Sequence, residues 1–99
     1  MTGNINGNQK PLILVTGGAG FMGINLIRYL LNEEVEIRSF DYAPFDYADC
    51  MNRIEIQTGD IRDPEAVEKA MHGVDIVIHC AMALPLYSEN DIMTQRMKN

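Results

Sequence analysis

The sequence predicts an α/β fold: a parallel sheet of strand order 3-2-1-4 that forms the first half of a doubly wound domain. Three observations predict it. Strand-like apolar runs alternate with helix-like periodic segments along the 99 residues, which calls for parallel strands joined by right-handed crossovers. Two runs, Leu12-Ile13-Leu14-Val15 and Asp75-Ile76-Val77-Ile78-His79-Cys80-Ala81, are nearly continuous in apolar residues, as strands buried on both faces are. The first of them breaks into Thr16-Gly17-Gly18-Ala19-Gly20-Phe21-Met22-Gly23, and a helical pattern starts at once.

The elements follow in order. After strand 1 (12–15), a helix is predicted from Gly20 to about Asn32, because Gly23, Leu26, Ile27 and Leu30 fall at i, i+3, i+4 and i+7. Val35-Glu36-Ile37-Arg38-Ser39-Phe40 begins with alternation and stops at Asp41, which predicts a half-buried second strand. Residues 42–53, with Pro44 inside, read as a loop that includes Cys50. Ile54-Glu55-Ile56-Gln57-Thr58 alternates cleanly and suits an outer strand, and Gly59-Asp60-Ile61-Arg62 a turn. Asp63 is placed to cap a helix with Pro64 in its first position and Glu65 in its first turn. Val67, Ala70, Met71 and Val74 supply that helix's apolar face, and Gly73 its stop. Strand 4 (75–81) extends toward Pro85, and Ser88-x-x-Asp91 marks the start of a last helix. Strands 1 and 4, the most apolar, are expected to be central in a complete fold of this type, where a fifth strand would pair with strand 4.

Composition excludes several classes. A formal charge of −6 argues against nucleic acid as a partner, since its phosphates demand a basic face. No apolar stretch approaches the roughly 20 residues of a membrane-spanning helix, so no membrane partner is expected. Met1–Lys10 (1–10) is Asn/Gly-rich without the apolar segment of a signal peptide, and is expected to be a disordered lead-in to a partial domain at 11–99. Cys50 and Cys80 form no C-x-x-C; a reducing cytoplasm is the expected compartment, with Cys80 a buried small hydrophobe.

A strand, a glycine turn and a helix start bring backbone N–H groups up to a phosphate. The glycines fit two registers: Gly18, Gly20 and Gly23 as G-x-G-x-x-G, or Gly17, Gly20 and Gly23 as T-G-x-x-G-x-x-G. Gly17, Gly20, Phe21, Met22 and Gly23 are therefore expected at a bound pyrophosphate. Asp41 stands eighteen residues past Gly23, at the tip of strand 2, where a carboxylate accepts from ribose hydroxyls. It would repel a 2′-phosphate, so NAD is expected over NADP. Phe40-Asp41-Tyr42-Ala43 recurs as Phe45-Asp46-Tyr47-Ala48, which makes Asp46 a rival, but one beyond Pro44 and past the strand end. The aromatic rings of 40–47 suit either an adenine or cover for the sheet. His79, in an apolar strand, reads as a satisfied core histidine rather than a base, and His72 as a surface residue near a helix end.

Taken together, Thr16-Gly17-x-x-Gly20-x-x-Gly23, Asp41, Gly59-Asp60-Ile61-Arg62-Asp63 and Val77-Ile78-His79-Cys80-Ala81 resemble the extended short-chain dehydrogenase/reductase family over roughly residues 11–92. NAD-dependent sugar epimerases and dehydratases belong to it. The resemblance implies a Rossmann-like fold, Asp60 and Ile61 against the adenine, and Cys80, Ala81 and Met82 beside the cofactor's ribose and pyrophosphate. It also implies a catalytic tyrosine with a lysine four residues on. Here the residues four positions after the four tyrosines are Glu33, Asp46, Met51 and Asp91, so no catalytic residue is assigned. Two functions stay open. The chain is either the NAD-binding N-terminal portion of an epimerase or dehydratase for a sugar nucleotide or similar hydroxyl/carbonyl substrate, truncated before its catalytic residues, or a stand-alone non-catalytic nucleotide-binding or interaction module. Self-association as a homo-oligomer through the open edge of strand 4 is expected in the second case.

Overall fold

Residues 9–80 are described by the structure, a computed structural model. Residues 1–8 of the expected lead-in, the helix at Ser88, and Ala81 and Met82 lie outside the described residues.

Seven elements follow in the order β1 (Leu12–Thr16), α1 (Phe21–Leu30), β2 (Glu36–Asp41), α2 (Ala48–Met51), β3 (Glu55–Thr58), α3 (Pro64–Met71) and β4 (Ile76–His79). The four strands form one sheet of order β3-β2-β1-β4, the predicted order, and every pairing is parallel. Ile13 lies opposite Ile37 and Ile76, and Phe40 opposite Thr16 and Gln57.

Strand alternation sends successive side chains to opposite faces, and this sheet buries both. Ile13, Val15 and Ile37 pack with Ile24, Ile27 and Leu30 of α1 and with Phe45 and Cys50. Leu14 and Phe40, on the other face, pack with Ala70 of α3, flanked by Ala66, Val67 and Val74. The buried face of α1 is Gly23, Ile24, Ile27 and Leu30; Leu26, expected there, packs only partly buried against that core. Gly23 is there because a Cβ would overlap the carbonyl of Gly17. Helix α3 begins as predicted, with Asp63 Oδ1 accepting from Glu65 N at 3.1 Å and Pro64 in the first position. Gly73, with φ of 76°, turns the chain out of it.

Three expectations need correcting. The loop at 42–53 contains the short helix α2, and Cys50 within it is fully buried against α1 rather than lying in a loop. Strand β2 is buried on both faces, not half-buried, because it runs between β1 and β3 under both helical layers. Its Arg38 is buried because its guanidinium donates to the carbonyls of Ala70 (2.6 Å) and His72 (2.7 Å) and pairs with Glu55 at 2.9 Å. Strand β4 lies at the open edge that the predicted order gives it, with Ile76 46% and Val77 42% exposed. Of its apolar side chains, Ile78 packs partly buried against the α1-side core.

Candidate functional site

The carboxyl ends of the strands converge on a cleft of about 430 Å³, where open parallel sheets take their ligands. Gly17, Gly20, Phe21, Met22 and Gly23 line it from the β1–α1 turn, Phe40, Asp41 and Tyr42 from the end of β2, Gly59, Asp60, Ile61 and Arg62 from the segment after β3, and Cys80 from beyond β4. Every described residue expected at a cofactor is thus brought to one cleft.

The turn has a defined shape. Gly17 takes φ of 74°, and its N–H donates to the carbonyl of Phe40 (2.7 Å) while its carbonyl accepts from Gly20 N (3.0 Å). The glycines differ in what requires them. Gly18 is needed by the fold, since a Cβ would run into Ser39 on β2. Gly20 is not: its φ of −86° suits any residue, and a Cβ would meet only Gly17 O at 3.4 Å. A side chain there would instead project at the helix mouth, beside the cleft.

That mouth is electrostatically unfilled. Ile24 makes the first intrahelical bond, to Gly20 O (2.9 Å), which leaves the N–H groups of Phe21, Met22 and Gly23 ahead of it. No side chain caps α1, and its first turn holds no acidic residue. Helix α3, by contrast, is closed by Asp63 and Glu65. Phe21 (83% exposed) and Met22 (65%) stand outside the core beside the opening.

Asp41 ends β2 facing the glycine turn. Its Oδ2 accepts from Ala19 N at 2.9 Å and its Oδ1 from Ala43 N at 3.0 Å, leaving lone pairs on both oxygens. Asp46 is exposed and lies outside the cleft. Asp60 accepts from Arg62 through its backbone N (2.9 Å), Nε (3.1 Å) and Nη2 (2.9 Å); those bonds hold its carboxyl below the usual carboxylate range. The aromatic residues divide. Phe40 and Tyr42 line the cleft, while Phe45 is buried in the α1-side core with Tyr47 packed beside it.

The histidines are partly as expected. His72 is exposed at the end of α3. His79 is satisfied, with Nδ1 2.6 Å from Thr16 Oγ1, but it is exposed, not a core residue, because the α3-side core does not extend over β4. Cys80 is only partly buried and forms one wall of the cleft. Arg62 and Gly59 were not singled out as ligand residues; their proximity to Asp60 in sequence is the signal that could have found them. No group of three or more His, Cys, Asp or Glu residues that could hold a metal ion occurs among the described residues.

An open 3-2-1-4 parallel sheet, an uncapped helix mouth behind a glycine turn and a carboxylate at the tip of β2 define the class of Rossmann-like dinucleotide-binding proteins. The chain belongs to the 3-beta hydroxysteroid dehydrogenase/isomerase family, one of the extended short-chain dehydrogenases/reductases; the family model matches residues 14–98. It is 40% identical over 74 residues to a 3 beta-hydroxysteroid dehydrogenase/Delta 5-->4-isomerase of Mycobacterium tuberculosis, covering 75% of this chain and 20% of the relative. It is 34% identical over 71 residues to a UDP-glucose 4-epimerase of Halalkalibacterium halodurans, 70% of this chain and 21% of that protein. Among solved structures, dTDP-glucose 4,6-dehydratase from Bacillus anthracis, in complex with NAD, superposes with a TM-score of 0.68 at 26% identity, over 82% of this chain and 29% of that one. UDP-glucose 4-epimerase from Thermus thermophilus, also with NAD, gives 0.64 at 32%, over 74% and 24%. The chain spans about a fifth of the length of the curated relatives it matches.

Proposed function

We propose that these 99 residues are the NAD-binding N-terminal portion of an oxidoreductase or epimerase that acts on a hydroxyl/carbonyl substrate. The observation that carries this is the uncapped first turn of α1, with its free N–H groups, next to a glycine that the fold itself does not require. Amides in that position stabilise a diphosphate without a basic surface, which suits a chain of net charge −6. The relatives support it in a further way. Their names span steroid and sugar-nucleotide chemistry, so the segment they share with this chain is suited to what such reactions have in common, the cofactor.

In this reading Gly17, Gly20 and the first-turn amides of Phe21, Met22 and Gly23 hold the pyrophosphate. Asp41 accepts from the adenosine ribose, Asp60 and Ile61 border the adenine, and Cys80 lies near the cofactor's ribose and pyrophosphate. A nicotinamide dinucleotide, when bound, supplies the hydride acceptor. The Asp41 carboxylate selects against a 2′-phosphate: two unit charges about 4 Å apart repel by roughly 1 kcal/mol in water and about 4 kcal/mol at an effective dielectric of 20. No Tyr-x-x-x-Lys occurs in the 99 residues, so the chain's own role is binding and orientation.

Calorimetric titration with NAD, NADP and ADP-ribose tests this reading. Weak saturable binding of NAD and ADP-ribose is expected, with NADP weaker. Asp41→Ala should lower NAD affinity by roughly tenfold or more, the worth of a charged hydrogen bond, and narrow the gap to NADP. Binding of none of the three by the wild-type chain overturns the proposal. We further propose that the unpaired outer edge of β4 leads the chain to self-associate; its exposed Ile76 and Val77 favour that.

A further inference from the structure

The peptide unit joining Ala19 to Gly20 leads directly into the first turn of α1, and it is held from both ends. Gly20 N donates to Gly17 O at 3.0 Å. On the other side of the same unit, the Tyr47 hydroxyl donates to Ala19 O at 2.8 Å. The preceding unit is fixed as well, by Ala19 N on Asp41 Oδ2. Neither Ala19 nor Tyr47 lines the cleft, so the Ala19 carbonyl is drawn to the side away from it.

The Tyr47 ring is itself immobilised. It packs edge-on against Phe45, with centroids 5.1 Å apart. The Arg28 guanidinium lies 5.4 Å from its centroid, and Arg28 is in turn fixed by two bonds to Asp49, at 2.9 and 3.0 Å. The Tyr47 carbonyl receives Cys50 N and Met51 N at the start of α2. A four-residue helix with no role in the sheet is thereby tied to the glycine turn.

The peptide has one accessible alternative. Gly20 is exposed and has no Cβ; reversing the Ala19–Gly20 plane would take Gly20 to positive φ, which glycine alone adopts freely. The reversed unit would turn the Ala19 carbonyl toward the cleft and set a negative dipole against the anion that the first-turn amides attract. We infer that Tyr47 is a positioning residue, whose hydroxyl keeps this peptide in the orientation that admits a diphosphate. The inference rests on the dinucleotide reading above and assigns α2 its purpose: it braces the phosphate turn from behind.

The test is Tyr47→Phe, which keeps the ring and removes one hydroxyl, followed by NMR titration of the 99-residue chain with NAD, ADP-ribose and adenosine. The variant should bind NAD and ADP-ribose roughly three- to tenfold more weakly, the range of one hydrogen bond. Adenosine, which carries no phosphate, should bind with unchanged affinity. Without ligand, the Gly20 amide resonance should broaden or split as the second orientation becomes populated. Equal losses for all three ligands, or an unaltered Gly20 resonance, overturn the positioning role and leave the dinucleotide reading standing. A wild-type chain that binds neither NAD nor ADP-ribose overturns the dinucleotide reading, and with it the purpose assigned here to Tyr47.

Discussion

At the scale of single residues, the glycines of the turn separate into those the fold needs and one that the proposed ligand needs. Gly18 and Gly23 sit where a Cβ would overlap Ser39 and the Gly17 carbonyl, and the latter is backbone that cannot swing aside. Gly18→Ala and Gly23→Ala should each cost about 1–3 kcal/mol of stability, the usual penalty for overpacking, with Gly23→Ala the worse; urea titration reads both. Gly20→Ala should unfold at the same denaturant concentration as wild type, since its φ is ordinary and the nearest atom is at van der Waals distance. It should nonetheless weaken NAD binding, because the added methyl occupies the approach of the phosphate to the amides. A Gly20→Ala chain that binds NAD as wild type does would mean that no phosphate comes close to that turn. The sequence alone could not make this division. Both glycine registers fit the string, and only the positions of Ser39 and the Gly17 carbonyl distinguish a packing glycine from a binding one.

At the scale of elements, the parts read correctly were those with a long period or a cap. The four strands, α1 and α3 were legible from apolar runs, a 3.6-residue repeat and the Asp63-Pro64 start. Helix α2 was not, because four residues carry no period, and Pro44 gave the stretch the look of a loop. Its anchoring is long-range: Arg28 of α1 reaches Asp49, a pairing with no sequence signature. This anchor makes a pH prediction. The bond from Arg28, with a smaller contribution from the Cys50 thiol, lowers the Asp49 carboxyl from 3.8 to about 2. A carboxyl whose folded pKa is depressed contributes stability that is fully present above its unfolded value and is lost as pH falls through the folded one. The contribution should therefore fade between about pH 4 and pH 2. Asp49→Asn should flatten that part of the acid-unfolding curve, measured by circular dichroism, and lower stability at neutral pH. Glu55 shifts the same way, because bonds from Arg38 and Gln57 outweigh the upward push of its burial, so some acid sensitivity should survive in the variant. Arg38 is the other anchor that pattern reading missed. An arginine in an alternating strand looks solvent-facing, yet this one closes the end of α3. Arg38→Ala leaves the Ala70 and His72 carbonyls without their donor, and a loss of about 3 kcal/mol in urea unfolding is expected, near the lower range for breaking a buried ionic network.

At the scale of the whole molecule, the sheet is finished on one side and open on the other. Strand β3 protects its edge with charge: Glu55 pairs with Arg38 and accepts from Gln57, the kind of polar cover that discourages further strand pairing. Strand β4 has no such cover, and Ile76 and Val77 project from opposite faces, each nearly half exposed. The sequence predicted the strand order and with it the open edge of β4, whose apolar run suits a strand that takes a further partner in a complete fold of this type. What the run could not reveal is how far the helices extend: Ile78 of β4 packs partly buried against the α1-side core, while Ile76 and Val77 stay nearly half exposed. An apolar edge strand is expected to drive association, while a net charge of −6 on every copy opposes it through long-range repulsion. Salt decides between the two, since the Debye length falls from about 30 Å at 0.01 M to about 8 Å at 0.15 M. The weight-average mass from sedimentation equilibrium should therefore rise with protein concentration, and rise further with added salt. Val77→Glu, which places a charge on the open face without touching the cleft, should return the chain to monomer at the same salt while leaving NAD affinity unchanged. A mass that stays monomeric at high salt and high concentration would show that β4 is protected by some other means. If Val77→Glu failed to reduce association, the interface would have to lie elsewhere on the surface.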